Sequence, residues 1–508
     1  MIETFRRDRE KDGDCPDRIH QDRSERSTEA MGSGQCAPRD IVAKPALRYA
    51  AAMRCLRLVD VHRGLDVIVA SCALDDLRFH VSIWYEDVDL PALARQYGDE
   101  AIERIAVHIA LFQLNAACSL RPETIELGRY AKYLTEDLVR LWRTVFHHVW
   151  AQWRYEHDLP AYDGPRFVEP LAPPAPPVRA PDGPVELLAF CGGGKDSLVA
   201  LKLLERAGLP FATLGYAHSI YGAAEPQHAL LDRVAGQTPR VRAERQWVID
   251  DLLDAPVARL RPALGVKYIL AAETPASVFA TLPLALARGY RGLVVAHEAS
   301  ANTGNLEWNG ETVNHQWGKG WDAEQLLDGY VRRQLVANLR YFSILQPIHD
   351  EVIFELLSRD PALATRTHSC NLKKPWCGAC AKCAYVWLQF AAHLPPDVVH
   401  ATFGDDLGER PDNERWFREM LGLAEHTPFE CVGSAPEARL AMTVARARGF
   451  TGARLAGYAA AVGPVDVAAI AAPLLQVGRV HGMPDHVAAG VMPQLVAAAA
   501  AARARLIG

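Results

Sequence analysis

Apolar and polar positions divide the chain into stretches of different period. Residues 65–71 and 79–84 are short apolar or alternating runs and read as strands, while 100–116 and 136–153 carry apolar residues at helical spacing. The second of these helices places Trp142, Phe146, Trp150 and Trp153 on roughly one side, a stripe expected to be core or domain interface. Farther along the elements alternate. Strands are predicted at 186–190, 211–215 and 292–296, and helices at 197–207, 274–288 and 350–358, with Gly208 stopping the first helix. Such alternation predicts a parallel sheet with helices on both faces and a ligand beyond the carboxyl ends of its strands. From about residue 394 the chain is rich in alanine, and 437–448, 465–472 and 486–502 read as helices.

The expected fold class is therefore α/β at the centre, preceded by an α+β domain and followed by a mostly helical region. The run EPLAPPAPPVRAPDGP at 169–184 predicts an extended, semi-rigid linker. The predicted division is an extension at 1–46, an α+β domain at 47–168, the linker at 169–184, the sheet domain at 185–393 and the helical region at 394–508. Residues 1–46 are charged and polar and are expected to be disordered, with Met31 or Met53 as alternative starts.

Composition narrows the classes. A chain of 508 residues exceeds one ordinary domain. Its net charge of −6 supplies no electrostatic case for a nucleic-acid surface. No apolar run approaches a membrane span, and the charged N-terminus lacks a signal-peptide core. The expectation is a cytoplasmic protein with a small-molecule substrate and neither nucleic-acid nor membrane partners. Four of the eleven cysteines cluster, which in that compartment reads as metal binding rather than a disulfide framework.

The first candidate site is LLAFCGGGKDSLVA at 187–200. Glycines between a buried strand and a helix start let the backbone approach a ligand, and the first helical N–H groups then point at it. That combination is a phosphate cradle. It is not the G-x-x-x-x-G-K-[ST] cradle, because Asp196 follows the lysine, nor the G-x-G-x-x-G cradle, because Ser197 stands where a glycine is needed. The second is Cys370-x6-Cys377-x2-Cys380-x2-Cys383, whose short spacings let four thiolates close a tetrahedral zinc site, with Pro375 and Gly378 supplying the turns. An iron–sulfur centre uses the same ligands, and four thiolates leave zinc no open position, so a bound zinc reads as a structural staple. The third is VVAHEASANTGNLEWNGETVNHQWGKG at 294–320, a dense polar run directly after a predicted strand and expected to face the glycine loop.

The loop resembles the PP-loop of the ATP pyrophosphatase superfamily, written SGGxDS. Gly193, Gly194, Asp196 and Ser197 match, and Gly192 replaces the leading serine. The resemblance implies ATP cleaved between the α and β phosphates and a substrate activated as an adenylate. With the knuckle added, the middle third is similar to the cyano-deazaguanine synthases. The wider layout, from about residue 47 to the end, resembles the ATP-dependent UDP-N-acetylmuramoyl-L-alanyl-L-glutamate epimerases. It comprises GGGKDS, HEAxxNxGN…NHQWxKG, the knuckle and Glu430-Cys431-Val432-Gly433. That family implies conversion of a terminal L-Glu to D-Glu for peptidoglycan.

Roles follow from that reading. Gly192, Gly193, Gly194 and Ser197 are expected to bind the β and γ phosphates, Lys195 to offset their charge, and Asp196 to hold magnesium. His297, Glu298 and His315 are candidates for proton transfer, and Lys319 for stabilising the enolate. Asn302, Asn305, Asn314 and Gln316 are candidate substrate ligands. The expected small molecules are thus ATP and magnesium, with zinc at Cys370, Cys377, Cys380 and Cys383. The competing readings are a deazaguanine- or tRNA-modifying enzyme and an adenylate-forming amide ligase. A thiolase would want a cysteine pair, and Cys191 beside the loop has no evident partner in sequence and reads as a small buried residue.

Overall fold

The computed structural model describes residues 55–252, 254, 271–370 and 372–507, and the expected extension 1–46 with its alternative starts lies outside them. In chain order the strands are β1 (Cys55–Arg63), β2 (Val67–Leu74), β3 (Leu77–Tyr85), β4 (Thr124–Glu126), β5 (Arg166–Phe167), β6 (Leu187–Phe190), β7 (Phe211–His218), β8 (Arg242–Asp250), β9 (Gly292–Val295), β10 (Leu306–Trp308), β11 (Glu311–Val313) and β12 (Arg340–Ser343). Ten of them form one sheet in the order β12-β9-β6-β7-β8-β3-β2-β1-β4-β5, and β10 and β11 form a separate hairpin.

Within the ten-stranded sheet, β12, β9, β6, β7 and β8 run parallel. β6 and β9 are fully or nearly buried apolar runs, LLAF and GLVV, as required when helices cover both faces. The chain leaves β6 toward β7 on one side, and β9 later pairs on the other. This is the topological switch point of the sheet, and the glycine loop directly follows β6 there. The expected α/β architecture is present, with helices around the sheet.

β3 pairs antiparallel with β8, from Val81↔Asp250 to Tyr85↔Gln246. Strands from either side of the proline segment therefore share one sheet. The stretch 169–184 contains no helix and is tied down: Val178 bridges to Val336, Ala180 N–H donates to Asn338 Oδ1 at 2.9 Å, and Arg104 donates to the Pro176 carbonyl at 2.7 Å.

Of the elements outside the predicted set, β8 and β12 are the most instructive. β8 (RAERQWVID) turns the polar Glu244 and Gln246 inward, where Tyr290 Oη donates to Glu244 at 2.7 Å and Gln246 donates to the Ala280 carbonyl at 2.6 Å. A buried polar face hides the alternation that marks a strand. β12 has four residues, too few to display a period. The aromatic stripe is core, as expected: Trp142, Phe146, Trp150 and Trp153 are all 0–1% exposed. The helix carrying it breaks at Trp150 into Glu136–Val149 and Ala151–Glu156.

The C-terminal region is helical and includes the wholly buried helix Ala381–His393. One expectation needs correction. The helix Asp485–Leu506 is, by length and composition, apolar enough to cross a membrane. Here it lies against Lys195–Arg206 and Asp350–Leu357: Gln494 Nε2 donates to the Leu203 carbonyl at 3.0 Å, and Arg505 pairs with Glu355 at 3.1 Å.

Candidate active site at the sheet switch point

The glycine loop turns through Gly193, whose φ of +79° lies in the left-handed region. Gly194 caps the helix Lys195–Arg206, and the Gly192 N–H donates to Ser197 Oγ at 3.0 Å. The loop is covered from one side by the strand of chain leading into the cysteine cluster. His368 N–H donates to the Gly193 carbonyl at 2.8 Å, and a Cβ on Gly193 would lie 2.1 Å from the His368 ring. A Cβ on Gly194 would lie 2.9 Å from Ser369 Oγ. Two of the three glycines are thus crowded by residues 368 and 369, whereas a Cβ on Gly192 would meet only Ser197 Oγ, at 3.9 Å.

Lys195 is used differently from the phosphate counter-charge expected of it. Its side chain is 2% exposed, and its ammonium donates to Asp196 Oδ1 at 2.6 Å and to Asp350 Oδ1. It also lies 5.0 Å from the centre of the Phe354 ring. Desolvation works against the Lys195 charge, but Asp196, Asp350 and Glu298 hold it firmly protonated. Asp196 remains about a quarter exposed. Burial pushes its carboxyl up, and Lys195, Lys382 and Lys319 together pull it below the usual range.

Behind the loop lies a nest of carboxyl groups. Glu437 accepts from Ser434 N–H at 2.7 Å, from Ser434 Oγ at 2.8 Å, from Ser300 Oγ at 2.6 Å and from Asp350 N–H at 3.2 Å. Tyr385 Oη donates to Asp350 Oδ2 at 2.8 Å. Glu298 caps the turn Ala299–Asn302 through the Ser300 N–H. Burial, then the charges of Asp350 and Glu437, push its carboxyl well above the ordinary range.

The polar run after β9 folds back on itself. The four carboxamides proposed as substrate ligands are engaged inside the protein. Asn302 donates to Gln346 at 3.0 Å and accepts from Trp321 N–H at 2.7 Å, and Asn314 donates to the Ala301 carbonyl at 2.9 Å. Asn305 donates to Thr427 Oγ1 at 3.0 Å and to the Pro428 carbonyl at 2.9 Å, while Gln316 donates to the Val432 carbonyl at 3.0 Å. They spend their polarity on shaping the segment and clamping residues 427–432 against it.

That clamp delivers a residue absent from the predicted site. Cys431 Sγ accepts from Lys319 Nζ at 3.0 Å, and Lys382 Nζ donates to the Cys431 carbonyl. Burial alone would push the thiol up. Lys319, a hydrogen bond from His315 and the charge of Lys382 overcome it and hold Cys431 well below the ordinary thiol range. Other cysteines are shifted oppositely: burial raises Cys55, Cys72 and Cys118, and pushes Cys191 up to about 11. Of the proton-transfer candidates, His315 is tied by Nδ1 to Gln152 Oε1 at 2.6 Å. His297 has a buried Nδ1 without a hydrogen-bond partner among the described residues, and burial lowers its ring to about 3. Glu273, the first residue of the helix Glu273–Arg288, was also not anticipated; burial raises its carboxyl to about 7 against the pull of Lys319.

The four cysteines meet. One ligand atom from each lies within 4.8 Å of the others. Backbone N–H groups of Leu372, Lys373, Ala379 and Cys383 point at Cys370, Cys377 and Cys380 sulfurs at 3.3–3.4 Å. Sulfurs gathered in this way, with N–H donors turned toward them, fit a tetrahedral thiolate-bound metal.

The stretch 274–344 matches the family described as MurL N-terminal domain, and 364–455 the one described as MurL C-terminal domain. The first contains Lys319 and the second contains the four cysteines, Lys382, Cys431 and Glu437. Three similar curated relatives each bear the name UDP-N-acetyl-alpha-D-muramoyl-L-alanyl-L-glutamate epimerase. That of a Micromonospora species is 31% identical over 333 residues, 61% of this chain and 68% of the relative. Those of Salinispora tropica and Xanthomonas oryzae pv. oryzae are each 29% identical, over 71% and 77% of this chain and 77% and 87% of the relative. No solved structure matches.

Proposed function

The chain belongs to the UDP-N-acetyl-alpha-D-muramoyl-L-alanyl-L-glutamate epimerase family, and from that premise we propose that it inverts the terminal glutamyl Cα of that muramoyl dipeptide after ATP activates the adjacent carboxyl. The observation that supports activation is the glycine loop at the switch point, with Lys319 within electrostatic reach of both Asp196 and Cys431.

The chemistry explains why such a loop belongs in an epimerase. Removing an α-proton beside a carboxylate puts two negative charges on adjacent atoms. Esterifying the carboxyl removes one of them and makes the α-proton far more acidic. ATP, consumed as a co-substrate, supplies that adenylate. The N–H groups of the first turn of Lys195–Arg206 have no partners inside the helix and are aimed to receive phosphate oxygens. Asp196, ionised and partly exposed, is the residue suited to hold magnesium. Lys195 fixes Asp196 and Asp350 in place and pulls both carboxyls toward the charged form, against the burial that raises Asp350. Lys319 and Lys382 supply positive charge where the enolate oxygen develops. Cys370, Cys377, Cys380 and Cys383 would hold a zinc in a closed four-thiolate shell, a structural staple beside the 368–369 cover of the loop.

The test is incubation with magnesium, ATP and UDP-N-acetylmuramoyl-L-Ala-L-Glu in deuterated water. Deuterated D-Glu formed only with ATP, together with AMP and pyrophosphate, is the expected result. Epimerisation without ATP would overturn the activation reading. Asp196→Asn is expected to abolish pyrophosphate release, and full ATP turnover by that variant would show the loop to be misassigned.

A further inference from the structure

We propose that Cys431 is the base that takes the α-proton of the activated glutamyl group, and that Glu273 carries the proton delivered to the opposite face. The proposal rests on the activation reading above and adds the proton-transfer pair that it lacks.

Placement comes first. Cys431 is half-buried, on a segment clamped by Asn305 and Gln316, with Lys319 Nζ 3.0 Å from its sulfur and Lys382 on its carbonyl. Glu273 begins the helix beside the turn Trp317–Lys319. A Cβ on Gly318 would lie 3.3 Å from Pro275 Cδ and 3.5 Å from Thr274 Cβ, so that helix start abuts the turn bearing Lys319. Glu273 is within electrostatic reach of both Lys319 and Cys431. Lys319 and Lys382 in turn feel Asp196 of the glycine loop, so the sulfur and the loop face the same cations. On this proposal the Cα of a carboxyl activated at the loop lies in this corner. The buried His297 ring, whose Nδ1 has no hydrogen-bond partner among the described residues, also feels Lys319 and Asp196.

The charge states complement each other. Lys319, His315 and Lys382 favour a thiolate, while Tyr221 and Glu273 face it as groups whose own ionisation is suppressed by burial. One group is ready to take a proton and the other, near neutral pH, to give one. In the step itself, Cys431 Sγ takes the proton from Cα. The C–H electron pair moves into the activated carboxyl as an enolate, and Lys319, relieved of the thiolate, balances the enolate charge. Glu273 then delivers its proton to the other face of Cα and is left as a carboxylate. Exchange of the thiol and the carboxylate with water restores both.

The test uses the full-length protein with magnesium, ATP and the L-Glu substrate in deuterated water. It follows pyrophosphate, deuterium at Cα of recovered L-Glu, and D-Glu. Cys431→Ala and Cys431→Ser are expected to retain pyrophosphate release, with both exchange and D-Glu falling on the order of 10²–10⁴-fold. Glu273→Gln is expected to lose D-Glu while still placing deuterium in the L epimer, a split that general damage to the site would not produce. Wild-type rates of D-Glu formation in both Cys431 variants would overturn the proposal and leave activation intact. Wild-type protein that epimerises without pyrophosphate release would overturn activation, and this proposal with it.

Discussion

In the cysteine knuckle the neighbours of each thiol are other thiols: Cys370 Sγ lies 3.8 Å from Cys380 Sγ, and Cys377 Sγ 3.7 Å from Cys383 Sγ. Around Cys431 the neighbours are an ammonium group at 3.0 Å, a second lysine and a histidine. The same atom type is thereby prepared for two different ends. Sulfurs that face one another in a closed shell fit a metal. A single sulfur facing cations carries charge into a site that can use it. The two regions also differ in what holds them. The knuckle is stitched by residues within fourteen positions of one another, whereas Lys319 and Cys431 are 112 residues apart.

The largest expected effect that separates them is structural. Cys380→Ser should abolish zinc binding, measured as metal content per chain, and melt the knuckle. Zinc contributes on the order of 10 kcal/mol of apparent binding energy in small thiolate sites. A variant with an unchanged melting curve would put the knuckle in the same class as Cys431.

Next comes Lys195→Met, which leaves Asp196 and Asp350 without their shared cation. Breaking such a buried pair costs roughly 3–5 kcal/mol, read by denaturant unfolding. A loss under about 1 kcal/mol would show that solvent already screens the site.

Lys319→Met should cost less, about 1–2 kcal/mol at alkaline pH, because it removes one charged hydrogen bond to a half-buried sulfur. Its sharper readout is the pH dependence of Cys431 alkylation, which should move to higher pH. The sign follows from the lowered thiol. The Lys319–Cys431 contribution is fully present above the unfolded thiol range and is lost as pH falls through the folded value. An unshifted alkylation profile would remove Lys319 as the cause.

Asn305→Ala should have the smallest effect, about 1 kcal/mol, by releasing the Thr427–Pro428 clamp. Faster alkylation of Cys431 in this variant would show that the clamp also limits access to the sulfur.

How much of this was legible depends on range. The strand, glycine turn and helix at 187–206 were readable because apolar period, turn residue and helix start are neighbours in sequence. The cluster at 370–383 was readable because its ligands are close enough to meet without help. The Asn and Gln residues of 294–320 are expected to touch substrate, and the structure engages them in hydrogen bonds within the protein, since a carboxamide that binds substrate and one that clamps a loop look alike in one dimension. Cys431 stood in a recognised string, Glu430-Cys431-Val432-Gly433, but nothing beside it signals a charged partner. Glu273 lies one residue before the predicted helix 274–288 and Asp350 opens the predicted helix 350–358, and nothing beside either in sequence signals a charged partner.

By itself, then, the chain determined where its periodic elements lie, that a glycine turn joins a buried strand to a helix, and that four thiols can converge. These are matters of local spacing and backbone freedom. Only the tertiary structure decided that Lys195 serves Asp350, 155 residues away, that His368 and Ser369 account for two of the glycines, and that Lys319 meets Cys431. The ionisation of each of these groups depends on which charges and how much solvent surround it, and those surroundings come into being only when distant segments are brought into one low-dielectric space.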